Sequence, residues 1–323
     1  MLVAVTGAAG HIGANLVRAL LAAGRRVRAL VYEDHRSLAG LAVEEVVADV
    51  RDPAALRAAL AGADVVYHLA ARIALWGEGY EALRPVNVGG TANVLAACRA
   101  AGVRRLVHMS SIHARRQAPQ DEPLDETRPF VDDAAALAYD RTKAEAERLV
   151  LAERGLEVVV VSPTAVVGPH DYKPSAMGRA VLLLRDGGMP MLLEGGFDFV
   201  DVRDVVAGTI AAAERARPGE RYLLPGHYTT VRELAGVVAA AGGRRPPRLM
   251  APMWLARLGA PFVLAASRIT GGQPVYTPES LEVLRTGNRR IVGAKAAREL
   301  GFAARPFAAT IADTLRWFSD RAS

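Results

Sequence analysis

The stretch Thr6-Gly7-Ala8-Ala9-Gly10-His11-Ile12-Gly13 lies between an apolar run, Leu2–Val5, and a helical pattern, Ile12–Ala23. Strand, glycine turn and helix in that order leave few folds open. Gly7 can make the tight turn out of the strand. Gly10, with no Cβ, lets the backbone come close to a pyrophosphate, and Gly13 lets the helix pack against the strand. The helix start, at His11 and Ile12, offers unpaired N–H groups and the positive end of its dipole to an anion. The spacing is Gly-x-x-Gly-x-x-Gly, not the usual Gly-x-Gly-x-x-Gly; the flanking strand and helix give it its weight.

The rest of the first half repeats the same alternation. Apolar runs at Val27–Val31, Val46–Ala48, Val65–Leu69, Leu106–Met109 and Val158–Val161 alternate with helical stretches, among them Asp52–Ala61, Gly90–Ala101 and Tyr139–Arg154. Strands without polar alternation, separated by helices, predict an α/β fold of the doubly wound, Rossmann type, with a parallel sheet covered on both faces. We expect a nucleotide-binding domain over 1–165 and a smaller, mostly helical substrate region over 166–323. Residues 197–216 are expected to return to the first domain, through a strand at Phe199–Val202 and a helix at Val205–Arg215. A chain of 323 residues, 51% hydrophobic, can bury a core of that size.

The composition excludes several functions. The charge is +6 and the pI about 9.7, but the arginines are scattered and form no basic block, so no nucleic-acid partner is expected. A lone cysteine, Cys98, forbids an internal disulfide and a thiolate cluster, and its apolar helical setting reads as core. No His/Asp/Glu spacing suggests a metal site. The N-terminus enters a strand directly, and the apolar stretch Met250–Ser267 is broken by Pro252, Arg257 and Pro261. Neither a leader nor a membrane span is expected, and a cytoplasmic location follows.

The end of the second strand bears on the cofactor. An acid there would bind ribose hydroxyls, but the strand ends Leu30-Val31-Tyr32, with Glu33-Asp34-His35-Arg36 following. Tyr32 and Arg36 are the candidate contacts; Arg36 could meet a 2′-phosphate, which favours NADP, while Glu33 and Asp34 could equally accept from a ribose hydroxyl, which keeps NAD as the alternative. Asp49 and Val50, after the third strand, are candidates for the adenine.

Tyr139 and Lys143 are four residues apart in a helical stretch and share a face. A nearby ammonium is expected to lower the phenol's pKa from about 10, so that Tyr139 can exchange a proton near neutrality. Lys143 could also hold the nicotinamide ribose. Ser110-Ser111 follows the fifth strand, at the carboxyl edge where open α/β sheets bind ligands, and a hydroxyl there could steady a developing alkoxide.

With these residues in this order, the chain resembles the extended short-chain dehydrogenase/reductases over nearly its whole length. The resemblance implies Ser111 (or Ser110), Tyr139 and Lys143 as a catalytic triad. It implies backbone contacts to the cofactor at Leu69, Ala70 and Ala71, and Asn87 as a helix-kinking or water-holding residue. Ser162-Pro163-Thr164 would line the nicotinamide, and Gly90–Ala101 with Tyr139–Arg154 would form a homodimer.

The stretches Gly168–Pro174, Phe199–Val205 and Lys295–Phe302 are similar to bacterial dihydroflavonol-4-reductase-like proteins. That group includes hopanoid-associated sugar epimerase-like proteins and is close to the 3-beta-hydroxysteroid dehydrogenases, which Ser111-Ile112-His113 also resembles. Sugar-nucleotide enzymes of the family usually carry an arginine where this chain has Phe197, and Phe197 cannot pair with a diphosphate. Together with the apolar stretch Met250–Leu264 and its Trp254, this points to a hydrophobic small-molecule ketone or alcohol as substrate. His113, His170 and Tyr172 are expected near the pocket, and His68 is expected to be packed. Two rival functions remain: an epimerase or dehydratase that retains NAD, and a dinucleotide sensor without turnover.

Overall fold

Strand β1 (Leu2–Thr6) runs inside a seven-stranded sheet, and its alternate residues feed two different cores. Val3 and Val5 pack on one face and Ala4 on the other. The same alternation holds in β4 (Val65–His68), β5 (Arg105–Met109) and β6 (Glu157–Pro163): Val65, Val107 and Val159 lie in the first core, and Val66, Leu106 and Val158 in the second. Burial on both faces explains why these strands read as unbroken apolar runs. The computed structural model describes residues 1–73, 78–189, 191–242, 245–247, 249–256, 258 and 277–322.

With β2 (Arg26–Val31), β3 (Glu44–Val47) and β10 (Arg221–Leu224), the sheet order is β10-β6-β5-β4-β1-β2-β3, with every pairing parallel. The strand order reverses beside β1, so a crevice opens between the carboxyl ends of β1 and β4, the place where such sheets bind ligands. Helices α1 (His11–Ala22) and α7 (Val202–Arg215) cover one face. On the other lie α2 (Pro53–Leu60), α4 (Gly90–Ala100) and α5 (Ala138–Leu151), where Cys98 is fully buried. Asp52 starts α2 as the Asp-Pro pair predicts: its carboxylate accepts the N–H of Ala54 (2.8 Å) and Ala55 (3.1 Å), and Pro53 takes the first helical position.

The helix expected to begin at Gly90 is entered through an earlier one. A short helix α3 (Tyr80–Arg84) runs through a π turn, Pro85–Gly89, into α4. Pro85 has no N–H to give the regular ladder, which favours such a turn, and Asn87 lies within it.

The 197–216 stretch behaves differently at its two ends. Its strand, β9 (Gly196–Asp201), does not join the large sheet. It pairs in parallel with β7 (Ala165–Val167) and antiparallel with β11 (His227–Thr230), forming a small sheet of its own. The helix α7 does pack on the large sheet, against α1, β5 and β6. The seventh strand of that sheet is β10, which the sequence reading passed over. A third core, between helix α6 (Ala176–Asp186), α8 (Val231–Gly242), Phe199 and the terminal helix Phe307–Ala322, lies under the small sheet. Of Met250–Leu264, the residues Met250–Ala256 and Leu258 are described; there Trp254 is 63% exposed and does not line the cavity discussed below. Among the described residues no helix is long and apolar enough to cross a membrane.

Candidate active site

The glycine loop closes the crevice from the β1 side. Gly7 has φ +67, and a Cβ on it would lie 2.7 Å from the Ala70 backbone nitrogen. A Cβ on Gly13 would lie 2.2 Å from the Gly7 carbonyl oxygen. Both positions therefore exclude side chains: one by conformation and contact, the other by contact alone. Gly10 is the N-cap of α1 in an extended conformation, and no side chain caps that helix start. The first N–H groups of α1 are thus left for an external anion, as a pyrophosphate would require. The loop is tied down on both flanks. His11 Nε2 and Asn15 Nδ2 contact the Pro169 carbonyl at 3.1 and 3.0 Å, and Ile12 packs on the core. Ser37 Oγ donates to the Ala9 carbonyl (3.1 Å), docking the turn that carries Arg36 beside the loop. Nothing in the sequence singled out Ser37.

The Leu69-Ala70-Ala71 segment is held from beneath by one proton-ordered chain. Ala70 N–H donates to Thr6 Oγ1 (3.2 Å), and Thr6 donates in turn to His68 Nδ1 (2.8 Å). His68 Nε2–H donates to Thr91 Oγ1 (3.0 Å), which donates to the Asn87 carbonyl (2.6 Å). Burial pulls the His68 pKa down to about 3, so the ring is neutral, as this chain of donors requires. Asn87 ties the same segment to α5: its amide bonds both backbone groups of Arg72 (2.7 and 2.9 Å) and Thr142 Oγ1 (3.0 Å).

At the end of β2, Val31 is buried and no acid occupies the strand end. Arg36 makes a forked pair with Asp34 (3.0 and 2.6 Å), which holds that carboxyl at about 2, and its own side chain stays 66% exposed. Asp49 is likewise held by Arg51, whose guanidinium also lies over the Tyr32 ring at 5.8 Å. Val50 is buried against Gly90 of α4.

On the other side of the crevice, Ser110 and Ser111 point apart, as successive residues in an extended segment do. Ser110 Oγ donates to Glu147 (2.6 Å), beneath α5. Ser111 and Tyr139 line the same cavity of about 570 Å³, and the Ser111 hydroxyl accepts the His113 N–H (3.2 Å). Lys143, 3% exposed, donates from Nζ to the Met109 carbonyl (2.8 Å). Burial lowers its pKa to about 8, with Glu147 one turn further along α5 opposing the shift. Glu147 is fully buried and paired with Arg115, which lies over the Phe130 ring at 3.8 Å. Its position eight residues after Tyr139, on the same helix face, was the available signal for it.

The geometry corrects the expected tuning of Tyr139. Burial raises this phenol to about 12, with the Ser111 hydrogen bond opposing. The ammonium of Lys143 is engaged by the Met109 carbonyl and does not lower it. Tyr139 is therefore a protonated acid at neutral pH.

The cavity wall is mostly apolar, with Met177, Leu184, Phe197, Phe199, Leu234 and Leu284, and Thr164 follows Pro163 at the end of β6 on its border. Phe197 meets Phe199 edge to face at 5.8 Å. His113 lines the cavity with its ring edge-on to that of Tyr139, the centroids 6.1 Å apart. His170 and Tyr172 do not line it: they stack on each other at 6.1 Å and pack on Trp317 of the terminal helix.

Comparison with known proteins gives the family. The model of the NAD dependent epimerase/dehydratase family matches residues 3–224. Sterol demethylase protein B of Methylococcus capsulatus is 39% identical, with 98% of each chain covered. A putative dihydroflavonol 4-reductase of Synechocystis is 32% identical over 98% of this chain and 94% of its own. A 3 beta-hydroxysteroid dehydrogenase/Delta 5-->4-isomerase of Mycobacterium tuberculosis is 31% identical over 93% and 85%. Among solved structures, gox2253 superposes with a TM-score of 0.85 at 33% identity, covering 99% and 98%. MoeE5 in complex with UDP-glucose and NAD gives 0.77 at 26%, covering both chains fully. The chain belongs to the NAD dependent epimerase/dehydratase family, the extended short-chain dehydrogenase/reductases, and is an NAD(P)-dependent oxidoreductase of that kind.

Proposed function

We propose that the chain interconverts a ketone and a secondary alcohol on a bulky hydrophobic substrate, using NADP(H), with Ser111, Tyr139 and Lys143 as its catalytic residues. The observation that carries this reading is that Ser111 and Tyr139 line one largely apolar cavity of about 570 Å³, a size suited to a small-molecule ligand. Relatives named for sterols, hydroxysteroids, dihydroflavonol and 2-alkyl-3-oxoalkanoate support a hydrophobic substrate. Phe197 in the wall gives a sugar diphosphate no partner.

In this reading Gly7, Gly10 and Gly13 with the start of α1 would hold the pyrophosphate, and Lys143 the nicotinamide ribose. Bound NADP(H) supplies or accepts the hydride. In reduction, Tyr139 gives its proton to the substrate oxygen, and Ser111 hydrogen-bonds the same oxygen as charge develops on it. NADP is favoured over NAD because Val31 stands at the strand end in place of an acid, and Asp34, one of the two acids that follow, is engaged by Arg36. The exposed Arg36 guanidinium then suits a 2′-phosphate.

A thermal-shift titration tests this, since a ligand stabilises according to its concentration over its dissociation constant. NADP is expected to raise Tm more than NAD at equal concentration. Arg36→Ala should weaken NADP by about tenfold, the scale of a lost charge-assisted pair, and leave NAD unchanged. UDP-glucose should give no shift. A UDP-glucose shift larger than that of NADP would overturn the reading of Phe197.

A further inference from the structure

Among the described residues, the cavity beside Tyr139 is lined by four ionisable side chains besides His113 and Tyr139: Glu78, Asp140, Asp198 and Arg179. Three of them are accounted for. Glu78 pairs with Arg72. Asp140 faces His113 Nδ1 at 3.2 Å. Asp198 accepts the Gly226 N–H (2.6 Å), and burial raises its carboxyl towards the neutral form. Arg179 is different. Its NH1 donates to the Pro174 carbonyl (2.6 Å), but its Nε is buried without a partner. No carboxylate among the described residues lies at ion-pair distance from it. The charge of Asp171 acts on it from further away, and that carboxylate already accepts Ser175 N–H and Oγ–H at 2.8 Å each.

Arg179 also has an unusual setting. It projects from α6 among Ala176, Met177, Ala180 and Leu184, which line the same cavity, and it is the one Arg or Lys among the described lining residues. Desolvation lowers its pKa, as it does for a guanidinium lacking full compensation. A partly desolvated donor left unsatisfied is costly unless a ligand completes it.

We propose that Arg179 is a carboxylate-binding subsite, so that the substrate is an amphiphile: an apolar body with one carboxylate, set apart from the oxygen served by Ser111 and Tyr139. A planar guanidinium matches a carboxylate's two oxygens. A phosphate dianion fits less well, because Arg179 is the one Arg or Lys among the described lining residues while Glu78 and Asp140 line the same space. The inference rests on the reading of this cavity as the substrate site.

Decanoate and 1-decanol serve as probes, titrated by thermal shift into the full chain saturated with NADP. They share a chain length and differ in charge. The wild type should bind decanoate about tenfold more tightly than decanol, the scale of one charge-assisted pair. Arg179→Gln should bring decanoate to the level of decanol while NADP affinity stays unchanged, which shows that the fold is intact. Arg179→Lys should keep part of the preference. Equal binding of the two probes by the wild type, or a preference that survives Arg179→Gln, overturns the proposal. NADPH-dependent reduction of 9-oxodecanoate, an apolar chain with a ketone and a carboxylate set apart, is the separate test of the site itself. Turnover without a decanoate preference removes the inference alone, and a decanoate preference without that turnover removes the functional reading alone.

Discussion

Replacing Tyr139 by Phe is expected to lower kcat by about 10³-fold, the range for loss of a positioned general acid, with little change in the dissociation constant of NADP. The single atom removed is the hydroxyl that faces Ser111, and the ring itself still fills its place on α5. Burial keeps that phenol protonated to about 12, while Asp140 is turned to His113 and Lys143 donates to the Met109 carbonyl. Steady-state turnover together with a cofactor titration separates the two effects. A variant that retains wild-type kcat would remove Tyr139 from the chemistry.

The second large effect is expected at Gly7. Its φ of +67 is strained for any residue with a Cβ, and a Cβ there would also press on the backbone of Leu69 and Ala70 at 2.7–2.9 Å. Backbone on the far side cannot swing away as a flexible side chain can. Gly7→Ala should therefore cost about 1–3 kcal/mol of stability and weaken NADP binding at least tenfold, because the crevice between β1 and β4 must open to relieve the contact. Gly24→Ala is the matched control: Gly24 has φ +69 but open space around it. It should lose stability from conformation alone and bind NADP as the wild type does. Equal cofactor affinity in the two variants would mean that the loop is not the cofactor cradle.

Much of this was legible in the sequence because local rules and global fold agree. Strands buried on both faces carry apolar residues at successive positions, so β1, β4, β5 and β6 could be read directly, and β2 despite its Arg28. The glycine loop stands out because each of its glycines answers a steric demand of its own. The choice between Ser110 and Ser111 was not legible, since both follow the same strand and only the direction of each side chain separates them. The state of Tyr139 was misread for a related reason. Spacing places Lys143 on the right helix face, but it does not show that the Met109 carbonyl takes the ammonium, or that burial outweighs charge. Strand β10 was missed because four residues between a turn and a loop carry too little pattern. Arg179 and Ser37 gave no signal at all, because their settings depend on segments far apart in the chain.

The claim at the centre of this account is net hydride transfer to a hydrophobic carbonyl, and deuterium transfer measures it most directly. The protein is incubated with NADPH carrying deuterium at C4 of the nicotinamide and with a 3-oxosteroid. The account predicts deuterium on the carbinol carbon of the product and NADPH consumed in equal amount. Protein that instead purifies with tightly held NAD, transfers no label, and inverts UDP-glucose with no net consumption of nucleotide would contradict it.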